Sequence, residues 1–315
     1  MAKPTVADVH TDALLSQVSV AYRNTNYIAD QILPVINVNK KSDTIAKYTK
    51  ADWFRDEARQ RAPGAYPPEG DYGLDSAASY ECINYSYAKV VPDEVRENAD
   101  APIRPEIEAV EFATDKIMLS MERRVAAALF NATTFASYTA TAAALTGGGG
   151  VAWSTYGTST PLTDIDAMAD LIRAQIARRP NTLVMGQTVW KTLRWHPDLL
   201  DSIKYTQTGV MTTDVLGRLV DIPRIFVGGS IYSATAEGAS FSSSDIWGNY
   251  VLLCYVPDRP SLMSPGLGYI FRWGNREAQR YVLGEGRKAT KFVVEEFTDE
   301  LILAADAGYL LTSVV

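Results

Sequence analysis

The side chains able to do chemistry are few and poorly arranged for it. Histidine occurs twice, at His10 and His196, so any mechanism with an imidazole base must use one of these. His196 stands in the run RWHPDLL, where Pro197 predicts a kink in or between helices, and an exposed, structural role is expected for it. His10 sits in an N-terminal stretch with no chemical company. Cys82 and Cys254 are the only cysteines. They are far apart and lack CxxC spacing, which fits neither a disulfide framework nor a structural zinc site. Each lies in an apolar or aromatic strand pattern, where small buried thiols are usual. The glycines at 147–150 could cradle a phosphate only with a Gly-Lys-Ser/Thr ending, which is missing, so flexible linkage or a small hairpin is expected there. Glu295, Glu296, Asp299 and Glu300 look like strand-end surface. No HExxH, GxSxG or GxGxxG pattern occurs. These observations predict no catalytic residue, no metal site and no cofactor, and hence a protein that is not an enzyme.

Charge and aromatic patterning point instead to contacts between chains. The 315 residues carry 30 Lys and Arg against 37 Asp and Glu, a formal net charge of -7. Such a chain has no cationic excess with which to hold nucleic acid tightly. Residues 40–91 hold five large aliphatic side chains, Ile45, Leu74, Ile83, Val90 and Val91, but eight aromatic ones between Tyr48 and Tyr87. That segment cannot build its own core, and an aromatic-rich, aliphatic-poor surface is typical of interfaces. It is also electrically two-ended. Residues 40–61 contain seven basic and four acidic residues, whereas 62–82 contain four acidic and no basic ones. A second acidic stretch follows, with Asp93, Glu94, Glu97, Asp100, Glu106, Glu108 and Glu111 outnumbering Arg96 and Arg104. A helix N-terminus does not by itself call for so much negative charge. The expectation is that Arg55, Arg59 and Arg61 of one copy dock near this stretch of a neighbour, with Trp53, Phe54 and Tyr66 as apolar anchors and Asp93, Glu94, Glu97 and Glu106 as receptors. Thr208, Gly209 and Val210, in a small polar loop, are candidates for a symmetry axis.

The elements that would position these residues form an α+β mixture. Residues 1–39 have no pattern strong enough for a domain. Alternation at Ile45, Lys47, Thr49 and at Ile83, Tyr85, Tyr87, Lys89 predicts the two strands of a long hairpin with APGAYPPEG in its distal part. Ile107, Val110, Ala113, Ile117, Met121, Val125 and Leu129 recur on one helical face, which predicts a single helix over 106–130. A capping box at Thr163 and Asp166 is expected to open a second helix ending before Pro180. Strands are expected at TLVMG, RIFVGG, IWGNYVLLCYV, GYIFRW, QRYVL and KFVVEEF, with helices over 187–205 and 212–220 between the first two. The N-terminus lacks an apolar leader core and no stretch is long enough to span a membrane, so a cytoplasmic product is expected.

This layout resembles the major capsid proteins of tailed bacteriophages, which share the Hong Kong 97-type fold. The resemblance is carried by RPNTLVMGQTVWKTLRWHPDLLDSIKY, VLGRLVDIPRIFVGGSIY, DIWGNYVLLCYV and SPGLGYIFRW. It implies an N-terminal arm over 1–39, an extended loop over 40–92, a peripheral domain over 93–160 with its spine helix, an apical domain over 161–256, and C-terminal strands over 257–315 returning to the peripheral domain. It further implies hexamers and pentamers of this chain in an icosahedral shell around double-stranded DNA, carried as cargo without sequence-specific binding. A separate scaffolding protein, a portal and a cement protein would be partners, with assembly in the host cytoplasm and residence in the virion capsid. Some relatives cross-link a loop lysine to an asparagine; Lys40, Lys41, Lys47 and Lys50 would be the donors here, although a solvated lysine is the default. A cellular encapsulin-like nanocompartment is the related alternative, and a hydrolase using later Asp and Glu residues the unrelated one.

Overall fold

The computed structural model describes residues 24, 26–100, 103–204, 210–236, 238–259, 266–284 and 286–315, without the side chains of 75–77. In chain order it opens with a short helix α1 (Ala29–Ile32) and strands β1 (Val35–Val38) and β2 (Ser42–Tyr48). There follow α2 (Lys50–Phe54), β3 (Leu74–Glu81), β4 (Ile83–Pro92), α3 (Asp93–Glu97), the long helix α4 (Pro105–Leu129) and β5 (Thr139–Thr141). The later half comprises α5 (Pro161–Ile176), β6 (Thr182–Gly186), α6 (Gln187–Arg194), α7 (Pro197–Ile203), α8 (Thr213–Val220), β7 (Arg224–Gly228), β8 (Ile231–Ser233) and β9 (Ser243–Asp245). It ends with β10 (Val251–Cys254), β11 (Gly268–Trp273), β12 (Glu277–Leu283), β13 (Ala289–Ile302) and β14 (Gly308–Thr312).

One five-stranded sheet is organised by β13, whose 14 residues outreach any single partner. On one edge its first half pairs with β12 (Glu277 opposite Glu295) and its second half with β11 (Gly268 opposite Ile302). On the other edge lies β4, with Ala289 opposite Pro92. Helix α4 covers one face. Because strand side chains alternate, Phe292 and Val294 both point at α4, meeting Val91, Ala109, Ala113 and Ile117. The helical stripe is as periodicity predicts from Ala113 to Leu129, but Ile107 is exposed and Ala109 takes its place. Pro105 stands at the first helical position and Glu106 and Glu108 in the first turn, the arrangement the helix dipole favours.

A second five-stranded sheet runs β5-β14-β10-β6-β7. Its strands β10 and β6 are buried throughout, as the unbroken apolar runs VLLC and TLVMG require. β6 and β7 are parallel and joined through α6, α7 and α8. Residues 257–315, expected to run back as one group, divide between the sheets: β11 to β13 join the α4 sheet, while β14 pairs with β10 and β5. A central core formed by Met121, Val125 and Leu129 of α4 with Ile32, Leu33, Val184, Trp247, Leu252, Ile270 and Leu310 ties both sheets together.

Several expectations are corrected. The hairpin partner of β2 is β3, with Ser42 opposite Glu81, while residues 83–92 pair with β13 instead. Both segments alternate, and pairing with β13 sets Val91 and half-buried Tyr85 on the face that α4 covers. The helix after 160 starts at Pro161 with no side-chain cap, so Thr163 and Asp166 form no capping box. The helical stretch over 187–205 breaks at Pro197 into α6 and α7. Residues 147–150, expected as flexible linkage or a small hairpin, form a turn held to α5 at Gly149. Asp164 accepts hydrogen bonds from Gly149 N–H and Trp153 Nε1, each at 2.6 Å, and a Cβ on Gly149 would fall 2.1 Å from Thr160 Oγ1.

Candidate intersubunit surface

The ribbon of β2 and β3 roots on the body through Tyr80, Cys82, Ile45 and Phe271, with Tyr80 and Phe271 stacked at 4.7 Å. At its far end a small aromatic knot closes the neck. Tyr48, Trp53 and Tyr72 have ring centroids 5.7 to 6.2 Å apart, and Thr49 N–H donates to Gly73 O. Beyond the knot residues 55–73 are all exposed, with Tyr66 at 94%. Trp53 and Phe54 remain more than half exposed. Arg55 is engaged within the loop by Asp52 at 3.4 Å and Glu57 at 3.0 Å, and the Glu57 hydrogen bond raises its already high pKa. Arg61 donates to Ala65 O. Of the lysines at the ribbon, Lys40 pairs with Asp43, which lowers that carboxyl's pKa, while Lys47 and Lys50 donate to Leu303 O and to Gln175 and Asp306.

The acidic residues Asp93, Glu94 and Glu97 sit on α3 and Glu106 on the first turn of α4. Arg96 draws Asp93, Glu97 and Glu106 together at 3.4, 3.9 and 3.6 Å, and Arg280 reaches Glu106 at 3.5 Å. The acidic receptor is thus partly neutralised by its own chain. Among the described residues, Arg55, Arg59 and Arg61 form no ion pair with it inside one copy. Val210 is exposed; Thr208 and Gly209, like His10, lie outside the described residues.

Several functional-looking groups escaped the sequence reading. His196 is fully buried, not exposed. Its Nδ1 accepts from Asp198 N–H at 3.2 Å as the cap of α7, so Nε2 carries the proton and donates to Ser159 Oγ at 2.7 Å. Ser159 in turn donates to Thr155 O. This order is opposite to a serine activated by a histidine base. Burial lowers the His196 pKa, against a smaller upward pull from Asp198. Glu296, expected at a strand-end surface, is buried mid-strand where β13 passes from β12 to β11. Arg272 lies 2.7 Å from one oxygen, off hydrogen-bond angle, and Arg276 2.8 Å from the other. Glu300 takes both nitrogens of an Arg124 fork at 2.8 and 3.0 Å, and Asp299 accepts from Glu81 N–H. Both cysteines are buried free thiols; desolvation pushes Cys254 up to about 12 and raises Cys82 as well.

The chemistry of this set is structural. Among the described residues no three His, Cys, Asp or Glu side chains are placed to hold a metal, and no helix is long and apolar enough to cross a membrane.

Residues 107–235 match the family model described as phage major capsid protein E. A major capsid protein of Burkholderia phage BcepMu is 29% identical over 311 residues, covering 96% of each chain. Among solved structures, a phage-related protein from Bordetella bronchiseptica superimposes with a TM-score of 0.70 at 24% identity, covering 96% of this chain and 97% of that one. The capsid structure of cyanophage P-SCSP1u gives 0.58 at 11% identity over 98% and 94% of the two chains. The likenesses in sequence and in structure both run nearly the length of the chain. This chain is therefore similar along nearly its whole length to phage major capsid proteins, and it has the mixed helix-and-sheet Hong Kong 97-type capsid fold.

Proposed function

We propose that the chain assembles with copies of itself into hexameric and pentameric capsomers of an icosahedral shell that encloses double-stranded DNA, as a component of the virion and without catalytic activity of its own. The observation that carries this reading is the uncovered loop. Nineteen consecutive exposed residues, 55–73, end in an aromatic knot that leaves Trp53 53% exposed in the single copy. Such a surface needs a partner, and symmetric repetition supplies one at every copy. The working division is an arm over 1–39, an extended loop over 40–92, a peripheral domain over 93–160 joined by β11 to β13, and an apical domain over 161–256 joined by β14. A net charge of -7 suits a wall that does not trap its polyanionic cargo. A separate scaffolding protein, a portal, a cement protein and assembly in the host cytoplasm complete the proposal. The nanocompartment alternative is weaker, since the full-length sequence relative given above is a phage capsid protein.

Expression of the full chain, alone and with a scaffolding protein encoded beside it, should yield particles or capsomers by light scattering and electron microscopy. A monodisperse monomer at high concentration under both conditions would overturn the reading.

A further inference from the structure

The ribbon of β2 and β3 carries a bend partway along its length. Its register shifts between Ile45 and Lys47, where two steps of β2 face three of β3: Ile45 lies opposite Ala78 and Lys47 opposite Asp75. An extra residue of this kind interrupts the ladder and bends the ribbon. Below the bend, Ile45 and Tyr80 pack on the first sheet. Beyond it, Lys47 and Tyr48 pair with Asp75 and Leu74, and Thr49 N–H reaches Gly73 O. So short a two-stranded piece is not stable by itself. The bend is a hinge unless something past it reaches back to the body.

Two lysines reach back. Lys47 follows Ile45 on the strand face turned to the body, and its ammonium donates to Leu303 O at 3.1 Å. Lys50 opens α2, and its ammonium donates to Gln175 Oε1 at 3.0 Å and to Asp306 Oδ2 at 3.1 Å. Gln175 stands in the last turn of α5, where the free carbonyls of a helix end favour a cation. The Asp306 side chain is only 20% exposed, which shields the pair better than an open surface would. Trp53 of the aromatic knot follows Lys50 by three residues on α2, so this short helix passes the restraint on to the knot. The anchors share one place in the fold. Residues 303–307 carry the chain from β13 in the first sheet to β14 in the second. They lie against α5, with Ala304 and Ala307 in the same core as Ile172 and Ile176.

We propose that Lys47 and Lys50 form a strap that sets the direction of the distal loop about the bend in the ribbon and ties it to the crossing between the two sheets. With the strap closed, a displacement of 303–307 turns the loop with it. With the strap open, the limb beyond Ile45 swings while the root stays packed. This goes beyond the shell-subunit reading and does not rest on it, because the strap closes within one copy.

The test places nitroxide labels at Tyr66→Cys and Lys191→Cys of the full chain, two exposed positions, while the native thiols are buried. Labelled chains mixed into a large excess of unlabelled chain report the distance within one copy, whether or not copies assemble. Double electron–electron resonance should give one narrow distance distribution in the parent chain and a clearly broader one in K50D. Amide exchange at 303–307 should quicken about two- to five-fold in K50D, the factor that loss of one exposed pair supplies. The charge exchange K50D/D306K should restore both readouts, which a role in packing alone would not allow. K47M/K50M should broaden the distribution with unchanged circular dichroism. Equal distributions in the parent and K47M/K50M, whether both narrow or both broad, would overturn the strap. Failure of K50D/D306K to recover either readout would overturn the pairing of Lys50 with Asp306 on which it depends.

Discussion

Glu122 is fully buried in the middle of α4 with no ion pair to another of the described residues, a costly place for a carboxylate unless every lone pair is used. Here its oxygens accept from Ile28 N–H and Ala29 N–H at 3.1 and 2.9 Å, Ser230 Oγ at 3.1 Å and Trp247 Nε1 at 2.7 Å. One side chain thereby pins α1, the root of β8 and the Trp247 loop to the long helix. Glu122→Gln turns an acceptor into a donor facing donors. It should destabilise the subunit by about 1–3 kcal/mol in chemical denaturation and speed amide exchange at 28–33, while an exposed control such as Glu108→Gln should not. His196 gives a different signature. Its native pKa lies below the ordinary value of about 6.5, so between those values the unfolded chain binds more protons than the folded one. Stability should fall as pH drops from about 6.5 through that window. His196→Asn keeps a capping acceptor but cannot titrate, and its denaturation midpoint should lose that component of the pH slope.

At the scale of elements, the contact between α4 and β13 changes character along its length. Its first part is apolar, through Phe292 and Val294, and its far part is ionic, through Arg124 and Glu300 with Thr298 and Ser120 as further partners of the guanidinium. Glu300 is 7% exposed at its side chain, so removing Arg124 leaves a nearly buried carboxylate unpaired. Arg124→Met should cost roughly 3–5 kcal/mol. The double change Arg124→Met with Glu300→Gln should recover most of that loss, since the penalty comes from the orphaned charge. Equal destabilisation of the single and double variants in urea would show that packing of the guanidinium on Tyr85, not charge pairing, carries the contact.

At the scale of the whole molecule, the proposed shell places the basic limb of each loop on a neighbour. Exposed ion pairs contribute only about 0.2–1 kcal/mol each, but a closed shell repeats them at every copy. Arg55→Glu, Arg59→Glu and Arg61→Glu together should leave subunit circular dichroism unchanged and block particle formation or make it salt-sensitive. Because Arg55 is already held by Asp52 and Glu57, most of the effect should survive in the Arg59→Glu, Arg61→Glu pair. Normal assembly of the triple variant at physiological salt would remove the arginines from the interface.

Local pattern alone determined much of this protein. The periodicity of α4, the uninterrupted apolar runs of β6 and β10 and the poverty of aliphatic residues in 40–91 each reflect how neighbouring side chains partition between water and a core, which a linear sequence records directly. What the tertiary structure decided are pairings between distant residues of similar pattern. Residues 74–81 and 83–92 both alternate, and only the availability of β13 sends the second to the sheet and leaves the first to β2. Four carboxylates near 295–300 look alike in sequence, yet the handover of β13 from β12 to β11 buries Glu296 between two arginines. His196 was expected at the surface because Pro197 predicts a kink in or between helices; it is buried, and Ser159, 37 residues earlier, folds back to accept a hydrogen bond from its Nε2. Burial of a polar group is settled by whichever distant partner offsets its desolvation, and no local rule names that partner.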